Sequence, residues 1–208
     1  GPFGPSDCAG CANRSLIMRS CREDGVLLRA DKPATMLDSA MVASGFRGRD
    51  VETVNAWATF SQLPGGLRWG YVLGLNLQRP FAIVPSDIGA PASARYVAYD
   101  GTAGQVLGTI EMNATQPLRL PGTGEPADPA TIAASFFVLA PVLPNGWAFL
   151  GEPSKIVAAS ARRVREVRAT EDDGGGLTAR LLVASGEVVR AAVRSPAGRV
   201  IEADCRAE

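Results

Sequence analysis

The spacing of apolar residues along the chain is typical of many short β-strands. From Leu16 onward, apolar runs recur at intervals of roughly 8 to 15 residues between Gly, Pro, Asn and Asp, which favours a β-sandwich over helices. The clearest signal is the segment 67–77, where Trp69, Tyr71 and four leucines occupy every second position. A turn at 64–66 (Pro-Gly-Gly) connects it to the apolar segment 53–60, so the two are predicted to form a hairpin.

The remaining strands follow from the same pattern. About eight strands fit before residue 142, the others being 26–28, 81–84, 95–99, 105–112, 117–120 and 135–139. Beyond Pro144, an apolar run at 146–151 precedes the segment 155–168. That segment is compatible with a helix or with a turn followed by a strand, and we favour the turn and strand. The last predicted strands, which form a meander, are 177–184, 188–194 and 199–204.

These strands predict an all-β protein, namely an antiparallel β-sandwich of the Greek-key type with a C-terminal β-meander. Residues 1–21 are interpreted as an irregular arm that contains cysteines, residues 22–144 as the sandwich, and residues 145–208 as the meander packed on it. The longest apolar stretch, 132–143, is far shorter than the roughly 18 to 20 residues of a membrane span. We therefore expect no membrane span.

The composition removes several classes of chemistry. The chain has 208 residues, 21 basic and 21 acidic side chains and no histidine, which excludes a Ser-His-Asp or Cys-His nucleophile and an HExxH zinc site. It is also too short for a complete barrel of alternating strands and helices, which takes about 250 residues. Carboxylate, cysteine or lysine chemistry stays open, although Lys32 and Lys155 are the only lysines. The balanced charge argues against nucleic acid or an anionic membrane as the main partner.

Four cysteines lie near the two ends of the chain, at Cys8, Cys11, Cys21 and Cys205. In an oxidising compartment they allow three disulfide pairings, including a Cys8–Cys11 bridge or a bridge from the N-terminal group to Cys205. A zinc site would need a second CxxC pair, which the sequence lacks. Disulfides are favoured, and free thiols or a metal site are the alternatives.

Two N-glycosylation sequons point in the same direction as the disulfide interpretation. They begin at Asn13 and Asn113, and glycosylation at either would require passage through the secretory pathway. The sequence therefore favours a secreted or secretory-pathway location.

Candidate functional residues are few, and no cofactor, metal site or catalytic residue is assigned. The carboxylates that lie outside obvious turns are Asp87, Asp100, Glu111 and Glu152. Only their separation in space would show a glycosidase pair, and a surface or turn role is the alternative for each. Trp147, with Asn145 and Glu152, predicts a small carbohydrate-binding platform on which the indole ring stacks against a pyranose. A core tryptophan is the alternative.

Several segments resemble the region that follows the catalytic barrel in family 36 glycoside hydrolases, the α-galactosidase and raffinose synthase-like enzymes. The matching segments are 24–29, 32–35, 57–59, 70–73, 81–89 (FAIVPSDIG), 97–100, 117–120 and 137–141, within residues 22–205. In such enzymes this region is an antiparallel β-sandwich packed against the barrel, whose strands carry the catalytic aspartates. The barrel has no counterpart here. The Arg-Gly-Arg-Asp sequence at 47–50 mimics a short motif but lies between sandwich strands, and no catalytic role is transferred to it.

These observations lead to one expected function and two alternatives. The expected function is a non-catalytic β-sandwich module that resembles the C-terminal accessory domain of a glycoside hydrolase and supports a catalytic barrel or binds carbohydrate. The alternatives are a structural or interaction protein that assembles with other chains, and a small carboxylate-based glycosidase. The expected partners are carbohydrate or another protein domain. If the chain is part of an enzyme, the resemblance implies a glycoside hydrolase or a galactosyltransferase.

Overall fold

The computed structural model describes residues 13–45, 54–124, 132–170 and 175–207, and this part of the chain is all-β, as predicted. Its strands are β1 (Thr35–Met36), β2 (Ala56–Gln62), β3 (Arg68–Leu75), β4 (Phe81–Ile83), β5 (Tyr96–Asp100), β6 (Ile110–Met112), β7 (Leu118–Leu120), β8 (Ala134–Pro141), β9 (Ala148–Gly151), β10 (Val164–Thr170), β11 (Gly176–Leu181), β12 (Val188–Arg194) and β13 (Val200–Arg206). The same residues form two helices, α1 (Arg14–Met18) and α2 (Asp38–Gly45), and a 3-10 turn, Pro85–Ile88. No helix among the described residues is long and apolar enough to cross a membrane.

Six strands form one antiparallel sheet in the order β1-β2-β3-β8-β5-β6. The predicted hairpin is confirmed, because β2 pairs with β3 along its whole length. Side chains alternate between the two faces along each strand. Trp69 and Tyr71 therefore lie on one face of this central sheet, called the first face, and Gly70 and Val72 lie on the second face. Both faces are buried, which makes the central sheet the middle of three layers.

The C-terminal strands cover the first face. β9, β12 and β13 form a three-stranded antiparallel sheet, and β10 pairs with β11. Three aromatic side chains of the first face donate hydrogen bonds to the backbone of this layer: Trp69 Nε1 to Phe149 O (2.8 Å), Tyr71 OH to Ala159 O (3.1 Å) and Tyr99 OH to Leu150 O (3.0 Å). Burial raises the pKa of Tyr71 to about 12, so its hydroxyl stays protonated. Val138 and Val164, from the two layers, belong to the same core cluster.

The second face is covered by the β4–β7 pair, α2 and the 3-10 turn. Ile83 and Leu118 from the strand pair, Ala40 from α2 and Ile88 from the turn are buried against it. Gly70 lies beneath the turn, and a Cβ there would lie 2.9 Å from Ile88 Cδ1. The absence of a side chain at this position lets the turn approach the sheet.

The C-terminal strands pair differently from the predicted meander. β11 pairs with β10, whereas β12 pairs with β13 and β9, so the predicted neighbours β11 and β12 lie in different sheets. The cause is the segment that connects them. Leu182 N donates to Arg163 O (2.7 Å) and Ala184 N donates to Glu187 Oε2 (2.9 Å). These bonds hold the segment after β11 beside the start of β10. The chain therefore leaves the β10–β11 hairpin before β12 begins. The strand favoured after the turn in 155–168 is present as β10.

Both helices lie where the sequence pattern predicts none. α1, within the arm interpreted as irregular, is one helical turn capped by Asn13, whose Oδ1 accepts from Leu16 N (3.2 Å). A polar N-cap of this kind supplies a partner for an otherwise unpaired helix amide. α2 has no stripe of large apolar residues, so hydrophobic periodicity does not detect it.

Candidate functional site

An open groove lies on the second-face side of the molecule, between the 3-10 turn and the sheet edge formed by β1 and β2. Its volume is about 400 Å³, which lies in the range of small-molecule sites. We call it the Phe60 groove. Its apolar lining includes Met36, Leu37, Ala58, Phe60 and Ile88, and its polar lining includes Lys32, Thr35, Asp38, Thr59, Ser86 and Asp87.

Two cations lie over the half-buried ring of Phe60. The guanidinium carbon of Arg68 is 4.1 Å and Lys32 Nζ is 5.6 Å from the ring centroid, both within cation–π range. Arg68 Nη1 also donates to Gly89 O at the end of the 3-10 turn. Gly89 has a φ of +68°, and a Cβ there would lie 2.8 Å from Arg68 Nη1. Glycine at this position therefore allows the guanidinium to reach the turn and hold it beside Phe60.

Several polar groups of the groove have unused hydrogen-bonding capacity. Asp87 Oδ2 accepts from Val84 N (2.8 Å), which fixes the carboxylate on the 3-10 turn. Asp87 Oδ1, the Asp38 carboxylate and the Ser86 hydroxyl have no hydrogen-bond partner among the described residues, and Lys32 has no ion pair there. The groove thus presents carboxylate acceptors, an ammonium donor and an aromatic ring to a ligand.

A second cavity of about 260 Å³ adjoins the Phe60 groove, and Gly89 lines both. Its polar side chains are Gln62, Arg68, Arg95 and Tyr96, and the other residues that line it are apolar or glycine. We call it the Arg68 cavity. Unlike the Phe60 groove, its described lining contains no carboxylate.

Another concentration of charge lies inside the molecule, where Glu152, Lys155, Arg163 and Glu187 form an ion-pair cluster. Arg163 Nη1 and Nη2 donate to Glu187 Oε2 and Oε1 at 2.8 and 2.5 Å, a bidentate pair. Arg163 Nε lies 3.0 Å from Glu152 Oε2, and Lys155 Nζ lies 3.7 Å from Glu152 Oε1. All four residues are buried, so their charges are satisfied within the protein rather than offered to a ligand.

The same cluster fastens the N-terminal segment to the C-terminal layer. Lys155 Nζ donates to Met18 O (2.8 Å) and Cys21 O (2.9 Å), which lie at and just beyond the end of α1. Glu187 Oε1 accepts from Glu23 N (3.2 Å). The arm beginning at residue 13 is therefore anchored by polar contacts that do not involve a disulfide.

The two carboxylates of the cluster are shifted in opposite directions. Hydrogen bonds from Arg163 lower the pKa of Glu187 to about 2, against the effect of burial. Burial raises the pKa of Glu152, and the nearby charges of Arg163 and Lys155 only partly offset this increase. Glu187 is therefore the firmly ionised partner of Arg163.

The predicted carbohydrate platform is not assembled. Asn145 and Trp147 are half-buried in the turn before β9, where Asn145 Nδ2 donates to Gly176 O (2.7 Å) and Asn145 Oδ1 accepts from Trp147 N (3.3 Å). Glu152 follows the opposite end of β9. It belongs to the buried cluster, so Trp147 lacks the carboxylate that was predicted beside it.

The other three candidate carboxylates occupy turns or ion pairs. Asp87 caps the 3-10 turn, and Asp100 Oδ1 accepts from Thr102 N (2.8 Å). Glu111 pairs with Arg194 at 2.8 Å, a contact that joins the central sheet to β12. These contacts correspond to the turn and surface roles, the alternative for each carboxylate in the sequence analysis.

The cysteines inside the described ranges are free thiols. Cys21 is buried, Cys205 is half-buried in β13, and neither forms a disulfide. Cys8 and Cys11 lie outside the described residues, so a Cys8–Cys11 bridge stays a prediction. Within the described ranges no group of three histidine, cysteine or acidic side chains could hold a metal ion. The segment 47–50 also lies outside them.

Both sequon asparagines are bonded through Oδ1 within their own turns. Asn13 is exposed and caps α1. Asn113 is half-buried, and its Oδ1 accepts from Thr115 N and Gln116 N, both at 2.9 Å. The structure leaves glycosylation at either site a prediction.

The sequence pattern did not reveal the Phe60 groove, because its lining comes from three separate segments, 32–38, 58–60 and 86–89. The available signals were indirect. Phe60 stands between Thr59 and Ser61 near the end of its strand, and Arg68 is the second residue after the hairpin turn. Only the strand pairing brings Arg68 beside Phe60.

No protein-family model matches the chain, and no curated protein or solved structure matches it either.

Proposed function

We propose that the chain is a non-catalytic β-sandwich module that binds carbohydrate in the Phe60 groove, a role similar to that of glycoside hydrolase accessory domains. The main support for this proposal is the composition of the groove. It is an open site of about 400 Å³ that combines an aromatic ring with carboxylate, hydroxyl and ammonium groups.

Each component of the groove suits one part of a sugar. A pyranose has an apolar face of C–H groups and a rim of hydroxyls. The ring of Phe60 and the side chain of Met36 suit the C–H face. Asp38 and Asp87 Oδ1 accept hydrogen bonds from sugar hydroxyls, and Lys32 Nζ donates to their oxygen atoms.

A non-catalytic role is supported by the use of the candidate carboxylates. Glu152 and Glu111 are committed to ion pairs, and Asp100 bonds to its own turn. Asp87 faces the groove but is held by the backbone of the 3-10 turn. A glycosidase needs two carboxyl groups that flank the scissile bond, one of them able to exchange a proton, and these contacts favour a binding role instead.

Calorimetric titration of the purified chain with a panel of galactosides and other glycans tests the proposal. We expect saturable binding that falls at least about fivefold in Phe60→Leu, which keeps an apolar side chain but removes the ring. Leu107→Ala is the matched control, because Leu107 is 76% exposed and lies outside the groove. No binding across the panel would contradict carbohydrate recognition, and hydrolysis of chromogenic glycosides would contradict the non-catalytic role.

A second candidate role is that of a structural or interaction protein that assembles with other chains, which one feature of the central sheet favours. Trp57, Leu73 and Phe136 pair across β2, β3 and β8, so they form one row on the first face. All three are half-buried, and Trp57 and Leu73 belong to neither core cluster. Light scattering tests association through this row. Self-association that Trp57→Ser abolishes would support the role, and a strict monomer would count against self-assembly.

A further inference from the structure

We infer that the Arg68 cavity binds the anionic group of an acidic glycan, a uronate carboxylate or a sulfate ester, next to a sugar ring in the Phe60 groove. The inference rests on the proposed function and narrows its ligand class. The two openings are adjacent, since Gly89 lines both, so one oligosaccharide can occupy them together.

The charge of the Arg68 cavity is positive and largely unneutralised. Arg68 has no ion pair within the described residues, because its guanidinium donates to neutral oxygens, Gly89 O and Gln62 Oε1 (3.1 Å). Arg95 is 58% exposed and lies 3.8 Å from Glu111. Glu111 itself is held by Arg194 at 2.8 Å, so it offsets the charge of Arg95 only weakly.

Tyr96 adds a neutral donor to these two cations. Its side chain is buried, yet its hydroxyl has no hydrogen-bond partner among the described residues. By contrast, Tyr71 and Tyr99 both donate to backbone carbonyls. Arg68, Arg95 and Tyr96 all line this cavity. Guanidinium and hydroxyl groups are donors that bind a carboxylate or sulfate.

The adjoining openings also differ in their charge, which sets the direction of the ligand. The lining of the Phe60 groove contains Asp38, Asp87 and Lys32, with Arg68 over the Phe60 ring, whereas the charged side chains of the Arg68 cavity are both arginines. The carboxylates of the groove offset its cations, so an acidic group is attracted more strongly by the Arg68 cavity. The neutral ring of the glycan is therefore placed beside Phe60.

Titrations with three trisaccharides of equal length test this inference, one neutral, one carrying a uronate and one carrying a sulfate ester. At low salt we expect one or both acidic ligands to bind about tenfold more tightly than the neutral one, with the advantage falling as salt screens the charges. Arg95→Gln should remove most of that advantage and leave the neutral affinity unchanged. Arg190→Gln, which changes an exposed arginine paired with Asp204, should leave both affinities unchanged.

A second measurement separates this inference from the proposed function. Inorganic sulfate alone, added to protein with labelled tyrosines, should shift the NMR signal of Tyr96 saturably and leave the other two tyrosines unmoved; Tyr96→Phe assigns the signal. Equal affinity for neutral and acidic trisaccharides, with no sulfate shift, overturns the anion subsite but leaves carbohydrate binding standing. A saturable sulfate shift without binding of any glycan supports the anion subsite and contradicts the proposed function.

Discussion

Arg163 has 1% of its surface exposed, the lowest value among the charged residues of the described chain. A buried cation of this kind is tolerated because Glu187 and Glu152 surround it. Arg163→Met would leave both carboxylates buried without their main partner. We expect a loss of about 3 to 5 kcal/mol in the free energy of unfolding, measured by urea denaturation at neutral pH.

The control for this variant is Arg168→Met. Arg168 is 64% exposed and lies 3.6 Å from Glu166, and exposed pairs of this kind contribute about 0 to 1 kcal/mol. Equal destabilisation by the two variants would show that burial does not decide the contribution of these ion pairs.

The lowered pKa of Glu187 gives the protein a specific acid sensitivity. Arg163 lowers that pKa from 4.5 to about 2. A lowered carboxyl pKa stabilises the folded state above pH 4.5, and this stabilisation is lost as the pH falls from 4.5 towards 2. Glu152 acts in the opposite direction, because its raised pKa makes the folded state bind a proton first. We expect Glu187→Gln to have a lower free energy of unfolding than the wild type at neutral pH. As the pH falls from 4.5 towards 2, the free energy of unfolding of this variant should decrease by roughly 2 to 3 kcal/mol less than that of the wild type.

Urea denaturation at half-unit steps between pH 2.5 and 7 measures this difference. Glu202→Gln is the control, because Glu202 is exposed in β13. In this variant the slope of the free energy of unfolding against pH should stay near that of the wild type. A slope in Glu187→Gln equal to that of the wild type would assign the acid sensitivity to other groups.

At the scale of elements, aromatic hydrogen bonds join the first face to β9. Tyr99 OH donates to Leu150 O (3.0 Å) from a buried position. Tyr99→Phe leaves that carbonyl without this donor, and we expect it to lower the free energy of unfolding by about 1 to 2 kcal/mol. Tyr96→Phe is a matched control from the same strand, because the Tyr96 hydroxyl has no partner to lose within the described residues. Equal effects of the two substitutions would contradict a stabilising role for the hydrogen bond.

The elements also show which parts of the fold the sequence could predict. The β2–β3 hairpin follows from local signals, namely alternation in 67–77 and a turn at 64–66. The chain passes from β11 to a different sheet at β12 where Arg163 and Glu187, 24 positions apart, pair with each other and bond to the connecting segment. Alternation and turn residues carry no information on that contact. The predicted strand at 26–28 is reduced to a bridge between Cys21 and Leu27.

The candidate site was less predictable than the fold for a related reason. Trp147 stands out in the sequence because it is large and lies near a carboxylate. In the structure that carboxylate, Glu152, forms an ion pair with Arg163 instead. The Phe60 groove is formed where β1, β2 and the 3-10 turn meet, so its composition depends on tertiary packing. Sequence spacing predicts strands well, but it does not show which side chains of separate strands share a cavity.

At the scale of the whole molecule, residues on both sides of position 144 contribute to one core. The cluster on the first face includes Trp69 and Val138 from the segment interpreted as the sandwich, and Phe149, Val164 and Ala192 from the segment interpreted as the meander. Removing either segment would expose the large apolar residues of the other. The two segments are therefore expected to unfold together.

A fragment of residues 22–144 tests this cooperativity. It keeps the strands of the central sheet but loses the layer that covers Trp69, Tyr71 and Tyr99, along with the carbonyls that accept their hydrogen bonds. We expect the fragment to bind the dye ANS and to lack the cooperative urea transition and near-UV circular dichroism of the full chain. The full chain under the same conditions is the control. A fragment that unfolds cooperatively with a near-native spectrum would show that the central sheet and the second-face layer form an independent folding unit.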